Sequence, residues 1–82
     1  MPGFFYTRHA RRRMQLYEVS EEDVEEAVQN PEAGPEIEEG RLVVQATFPN
    51  RFKGKPLKVI YVIEDESVTI LSVYPLKKAH RG

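Results

Sequence analysis

The 82-residue sequence contains no cysteine and no tryptophan, and it has only two histidines. Without cysteine, disulfides, thiolate zinc sites and cysteine nucleophiles are excluded, and two histidines are too few for the usual histidine-rich metal site. We therefore expect no metal and no other cofactor. The fold must be held together by its core alone.

Long apolar runs are also missing, because the longest ones have only the length of a strand. Neither export nor membrane spanning is therefore indicated, and we expect a cytoplasmic protein without membrane contact. A chain of this length suffices for one small domain with a modest core. We expect a single domain over residues 1–82, with flexible termini at 1–6 and 76–82.

The sequence also lacks an excess of positive charge, since the formal net charge is -1 although 30% of the residues are charged. Proteins that grip duplex DNA through many phosphates are usually strongly basic. Any nucleic-acid-binding surface of this chain must therefore be a local patch.

The N-terminal part of the sequence carries two amphipathic helix patterns. Thr7 is suited to be the N-cap of a helix over residues 8–16, whose apolar residues recur at helical spacing. Ser20 opens a second helix over residues 21–29 with a variant of the capping box, and Pro31 ends that helix.

From residue 41 onward the hydrophobic period changes to two, which predicts strands near 41–48, 57–63 and 68–74, with a short edge strand around 36–39. The expected fold is α+β, with two N-terminal helices packed on a three- to four-stranded antiparallel β-meander. The sheet face covered by the helices should be formed by Leu42, Val44, Phe48, Val59, Tyr61 and Ile70.

Three blocks of sequence carry a resemblance to a known family: F-x-x-T-R-H-A-R-R-R-M, V-S-E-E-D-V-E-E-A-V-x-N-P, and K-P-L-K-V-I-Y-V followed by I-L-S-V-Y-P. In their order and spacing they resemble the family catalogued as domain of unknown function 4258. That family is similar in turn to RelE/ParE-like toxins, and more closely to the BrnT type, which pair helices with an antiparallel sheet and cleave RNA without a metal. The resemblance implies a toxin-like endoribonuclease of a toxin-antitoxin system, with RNA as substrate and a cognate antitoxin as partner.

Metal-independent cleavage requires a base, an acid for the leaving oxygen and cations against the developing charge. The candidate catalytic residues are His9, Lys58, Tyr74 and His80. Each has a structural alternative: His9 could cap or pack at the start of the first helix, Lys58 could solvate an exposed face, and Tyr74 could complete the edge of the core. The tail that carries His80 could be disordered rather than catalytic.

The candidate substrate-binding residues are Arg8, Arg12, Lys77, Lys78 and Arg81. The arginines precede an acidic helix, and exposed ion pairs between two such helices contribute only about 0 to 1 kcal/mol each. Consecutive helical residues point about 100 degrees apart, so the arginines cannot all face the acidic helix. We expect Arg8 and Arg12 to project beside the sheet.

Other functions fit the same pattern. One alternative is a non-catalytic RNA- or protein-binding module on the same scaffold, which the slightly acidic composition favours. Another is a small self-associating protein, for example a homodimer, because an open sheet leaves edges that must be covered or paired. A magnesium-dependent nuclease is disfavoured, since carboxylates early in a surface helix usually serve the helix dipole and solubility.

Overall fold

A computed structural model of the chain describes residues 3–76, which form two helices and a five-stranded sheet. None of the described helices is long and apolar enough to cross a membrane. The elements in chain order are β1 Phe4–Tyr6, α1 Arg8–Tyr17, α2 Glu21–Gln29, β2 Ala33–Glu38, β3 Arg41–Thr47, a 3-10 turn Phe52–Gly54, β4 Pro56–Glu64 and β5 Ser67–Pro75.

The strands lie in the order β1-β5-β4-β3-β2, with β1 parallel to β5 and the other pairs antiparallel. The predicted α+β class is confirmed, but the predicted arrangement was wrong in three respects. The sheet has five strands and is mixed, and a strand precedes the helices. Three residues are too few to show a period of two, and parallel pairing depends on distant contacts, so β1 left no local signal.

Helix α1 begins at the predicted cap, which also attaches the helix to the sheet. The Oγ1 of Thr7 accepts a hydrogen bond from the backbone N–H of Ala10 at 3.1 Å and donates one to the carbonyl oxygen of Leu71 at 3.2 Å. The first turn of α1 is therefore fixed beside β5. Glu18, in the left-handed region with φ 56°, ends the helix.

Helix α2 begins with the predicted capping box. The Ser20 hydroxyl accepts from the N–H of Asp23 at 3.1 Å, and the Asp23 carboxylate accepts from the N–H of Ser20 at 3.0 Å. Asp23 is buried and its other oxygen accepts from Arg51 at 2.6 Å. Burial alone would raise the pKa of Asp23, but the hydrogen bonds from Ser20 and Arg51 outweigh it and lower the pKa.

The core lies between the helices and one face of the sheet. Val59 and Tyr61 are buried there at 0% and 5% exposure, which confirms the predicted strand register. Ile70 and Val44 are fully buried in the same cluster, and Leu42 and Phe48 are partly buried against it. The residues that alternate with these point to the other side of the sheet, which we call the open face because no helix of residues 3–76 packs on it.

Strand β2 forms the exposed edge of the sheet and departs from regular pairing near Gly34, which has φ 97°. A Cβ atom at Gly34 would lie 2.5 Å from the carbonyl oxygen of Val43, so only glycine allows β2 to approach β3 this closely. The edge strand was predicted at 36–39 and is observed at Ala33–Glu38.

Candidate nucleic-acid interface

A groove runs between α1, the end of β5 and the turn that joins β3 to β4. Among its lining residues are three cations and three aromatic rings, and none is an Asp or Glu. The lining residues are Arg13, Tyr17, Phe52, Lys53, Lys55, Ser72, Tyr74, Pro75 and Leu76. A positive groove with aromatic surfaces is typical of sites that bind single-stranded nucleic acid.

Helix α1 supplies Arg13 and Tyr17, which lie one turn apart on the flank that faces the groove. An Nη1 atom of Arg13 donates to the hydroxyl of Tyr17 at 3.5 Å, a long contact that places the two polar ends side by side. His9 lies one turn before Arg13 on the same flank and is exposed, but it does not line the groove. The helix cap is made by Thr7, so capping is not the role of His9.

The turn between β3 and β4 supplies Phe52, Lys53 and Lys55 in an unusual backbone conformation. Asn50, Phe52 and Lys53 have φ values of 62°, 52° and 54°, which non-glycine residues adopt only when their surroundings hold them there. The turn therefore depends on contacts outside itself.

Arg51 makes those contacts. Its Nη1 donates to Asp23 at 2.6 Å and its Nη2 donates to the carbonyl oxygen of Glu18 at 3.3 Å. The guanidinium also lies 4.9 Å from the centre of the Phe52 ring, and that ring packs edge-to-face on Phe48 at 5.9 Å. Arg51 thus ties the groove-lining turn to the region where α1 ends and α2 begins.

Two of the predicted catalytic residues are neighbours across β4 and β5. Lys58 and Tyr74 are directly paired in the register, and the Nζ of Lys58 lies 5.9 Å from the centre of the Tyr74 ring. Both residues alternate with core residues, so both side chains are on the open face, where Tyr74 also lines the groove. The pair is an ammonium beside a phenol at the margin of a positively charged surface.

The predicted substrate-binding arginines of α1 lie elsewhere. Arg8 and Arg12 line a cleft between α1 and α2, which we call the α1–α2 cleft, and this cleft also contains Glu18 and Glu21. Arg11 pairs there with Glu21 at 3.1 Å, and both side chains are more than half exposed. Because carboxylates share the cleft, its positive charge is partly neutralised.

The family profile described as Domain of unknown function (DUF4258) matches residues 6–75. The chain belongs to this family. No curated protein matches it. The match spans all the groove-lining residues of this DUF4258 domain except Leu76.

Within this DUF4258 domain the structure brings together only part of the predicted site. Lys58 and Tyr74 adjoin the groove, whereas Arg8 and Arg12 face the α1–α2 cleft. The predicted residues Lys77, Lys78, His80 and Arg81 lie outside the described residues. In residues 3–76, no three His, Asp or Glu side chains converge in a way that could hold a metal ion.

Four residues that line the groove, Arg13, Tyr17, Lys53 and Lys55, are not among the site residues predicted from the sequence. Arg13 differs from Arg12 by about 100 degrees around α1, so Arg13 lies on the flank beside Tyr17 whereas Arg12 lines the α1–α2 cleft. The buried stripe of α1 could have shown this, because Ala10 and Met14 define the direction of the sheet. Lys53 and Lys55 lie in a turn sequence, and a turn pattern alone does not indicate a binding site.

Proposed function

We propose that this DUF4258 domain is a metal-independent endoribonuclease that binds single-stranded RNA in the groove. The observation that carries the proposal is the Lys58–Tyr74 pair at the margin of a groove lined by three cations and no carboxylate. The cations favour a phosphate backbone, and the aromatic rings offer surfaces on which unpaired bases stack.

The proposed reaction is transesterification within the RNA chain. The ribose 2'-oxygen attacks the neighbouring phosphorus, the bond from phosphorus to the 5'-oxygen breaks, and the products carry a 2',3'-cyclic phosphate and a 5'-hydroxyl. A base takes the proton of the 2'-hydroxyl and an acid gives a proton to the leaving oxygen. No oxidant, reductant or metal is needed to balance this step.

Tyr74 is the proposed acid, because its phenol lies in the groove and its ring is beside the Lys58 ammonium group. Lys58 and Arg13 stabilise the charge that develops on the phosphate. His9 is the proposed base, since it is exposed on the same flank of α1 as Arg13 and an imidazole nitrogen can accept the proton of a hydroxyl group.

The toxin role rests on the sequence resemblance to RelE/ParE-like and BrnT-like toxins named above, which also pair helices with a sheet. On this reading the domain acts in the cytoplasm and is kept silent by a cognate antitoxin that covers the groove. Expression without that partner should arrest growth.

A second candidate function is RNA binding without cleavage. The observation that favours it is the position of His9, which is near the groove but does not line it. Stacking and phosphate contacts need no base, so binding would survive even if His9 never reached a 2'-hydroxyl.

The two candidates are separated by substitutions at Tyr74. Tyr74→Phe keeps the ring for stacking and removes the acid, so cleavage of labelled RNA in EDTA should fall by about a hundredfold or more while affinity stays nearly unchanged. Tyr74→Ala should reduce both, because stacking on an aromatic ring contributes roughly 1–3 kcal/mol per base.

The matched control is Gln29→Ala, an exposed substitution on α2, on the helix side of the sheet, which should change neither property. If wild-type protein binds RNA but neither cleaves it nor arrests growth, the endoribonuclease proposal is wrong and RNA binding without cleavage takes its place. Absence of binding even at low salt would remove both.

A further inference from the structure

A polar row crosses the open face of the sheet next to the groove. Tyr74 on β5 is paired directly with Lys58 on β4, and Lys58 is paired directly with Gln45 on β3. Each of the three lies between residues that point to the core side, and each is partly exposed. Directly paired residues share one face, so the three side chains stand in line on the open face.

The next row is largely apolar and separates the polar row from the rest of the open face. It consists of Ser72, Ile60 and Val43, which are paired in the same two registers. Val43 is buried, so Ile60 is the apolar residue of this border that can contact base or ribose surfaces while the polar row binds polar groups.

Beyond β3 the polar row meets Ala33 of β2, which is paired with Gln45, and carboxylates come before and after this position in the chain. Glu36 on β2 is paired with Val43 and is therefore on the open face, and Glu32 accepts a hydrogen bond from Thr47 at 2.8 Å. Phosphates are repelled by these carboxylates, so a bound nucleic-acid strand would stop before β2.

We propose that the polar row extends the groove into a track for a short single-stranded RNA segment. The segment passes from the groove over β5 and β4 and ends at Gln45. Adjacent strands lie about 4.8 Å apart, so the row adds about 10 Å to the groove and suits a site of about four nucleotides. This inference rests on RNA binding in the groove and deepens it.

Each member of the row has a distinct contact with the RNA. Tyr74 stacks a base, Lys58 contacts a phosphate, and the Gln45 amide binds the edge of an unpaired base as both donor and acceptor. Gln45 is thus assigned a role in binding, although it lies two strands away from the groove.

The experiment measures the affinity of fluorescein-labelled 2'-O-methyl RNA, which lacks the attacking hydroxyl and so is not cleaved. Oligonucleotides of about two and about eight residues are compared, spanning the proposed site size. Gln45→Ala should weaken binding of the longer RNA by about twofold to tenfold. Gln45→Glu should weaken it further through repulsion of phosphates, and neither should affect the dinucleotide.

Gln29→Ala and Gln29→Glu are the matched controls, and urea unfolding shows that each variant is folded. If Arg13→Ala weakens binding of both RNA lengths while the Gln45 variants bind the longer RNA like wild type, the proposed track over the sheet is wrong. The proposal that RNA binds in the groove is then still supported. If wild type binds neither RNA, the proposed function fails as well.

Discussion

At the scale of single residues, Asp23 links the local structure of α2 to the candidate site. One of its oxygens completes the capping box with Ser20 and the other accepts from Arg51. Both interactions favour the charged carboxylate, so the pKa of Asp23 is lowered although burial opposes this. Because the pKa of Asp23 is lower in the folded than in the unfolded chain, the ionised carboxylate stabilises the protein at pH values above the unfolded-state pKa. This stabilisation is lost as the pH falls through the folded-state pKa.

A residue-scale prediction follows from this pH dependence of stability. Asp23→Asn should lower the free energy of unfolding by about 1–3 kcal/mol near pH 7, because a charged hydrogen bond to Arg51 is lost in a buried position. Near pH 3, below the ordinary pKa of an Asp side chain, the difference from wild type should become smaller, because the unfolded wild-type chain then takes up a proton that the folded chain still excludes. Urea unfolding of both proteins at the two pH values checks this, and an equal difference at both would contradict the role of the Asp23 charge.

At the scale of elements, local signals were sufficient for the helices and the three long strands. Helix α2 was predicted at its observed bounds, because Ser20 and Pro31 mark both ends, and the alternation around Val59 determined which sheet face is buried. Strand β1 and the conformation of the turn could not be predicted in this way. The first depends on parallel pairing with β5, and the second depends on Arg51 reaching Asp23 and Glu18 across the fold.

The dependence of the turn on Arg51 gives an element-scale prediction. Arg51→Ala should speed amide hydrogen exchange over residues 50–55 and weaken RNA binding several-fold, because positive φ values at Phe52 and Lys53 lose their support. Exchange mass spectrometry measures the first effect and the titration above measures the second.

Arg11→Ala is the matched control for this prediction, because it removes the exposed ion pair with Glu21 and does not touch the turn. Unchanged exchange in Arg51→Ala would show that the turn holds its shape without the ion pair to Asp23. Arg51→Lys should give an intermediate effect, since one ammonium cannot donate to Asp23 and Glu18 with the geometry of the guanidinium fork.

At the scale of the whole molecule, charge is separated although the net charge is only -1. The groove has cations and no carboxylates among its lining residues, whereas the first turn of α2 and strand β2 are acidic. Composition could show that a basic surface must be local, but its location depends on how the turn and β5 meet α1. For this reason the sequence predicted Arg12 as a substrate-binding residue, whereas in the structure Arg13 is the arginine of α1 that lines the groove.

The last prediction concerns the salt dependence of RNA affinity, whose slope is proportional to the number of phosphates that the protein neutralises. Single-stranded nucleic acid gives a slope of about -0.7 in log affinity against log salt for each neutralised phosphate. Four contacts, from Arg13, Lys53, Lys55 and Lys58, give a slope of about -3. Lys53→Ala should therefore reduce the magnitude of the slope by about 0.7, and Gln45→Ala should leave it unchanged because glutamine carries no charge. If Arg12→Ala reduces the slope while Lys53→Ala does not, RNA binds in the α1–α2 cleft, and the groove is not the site.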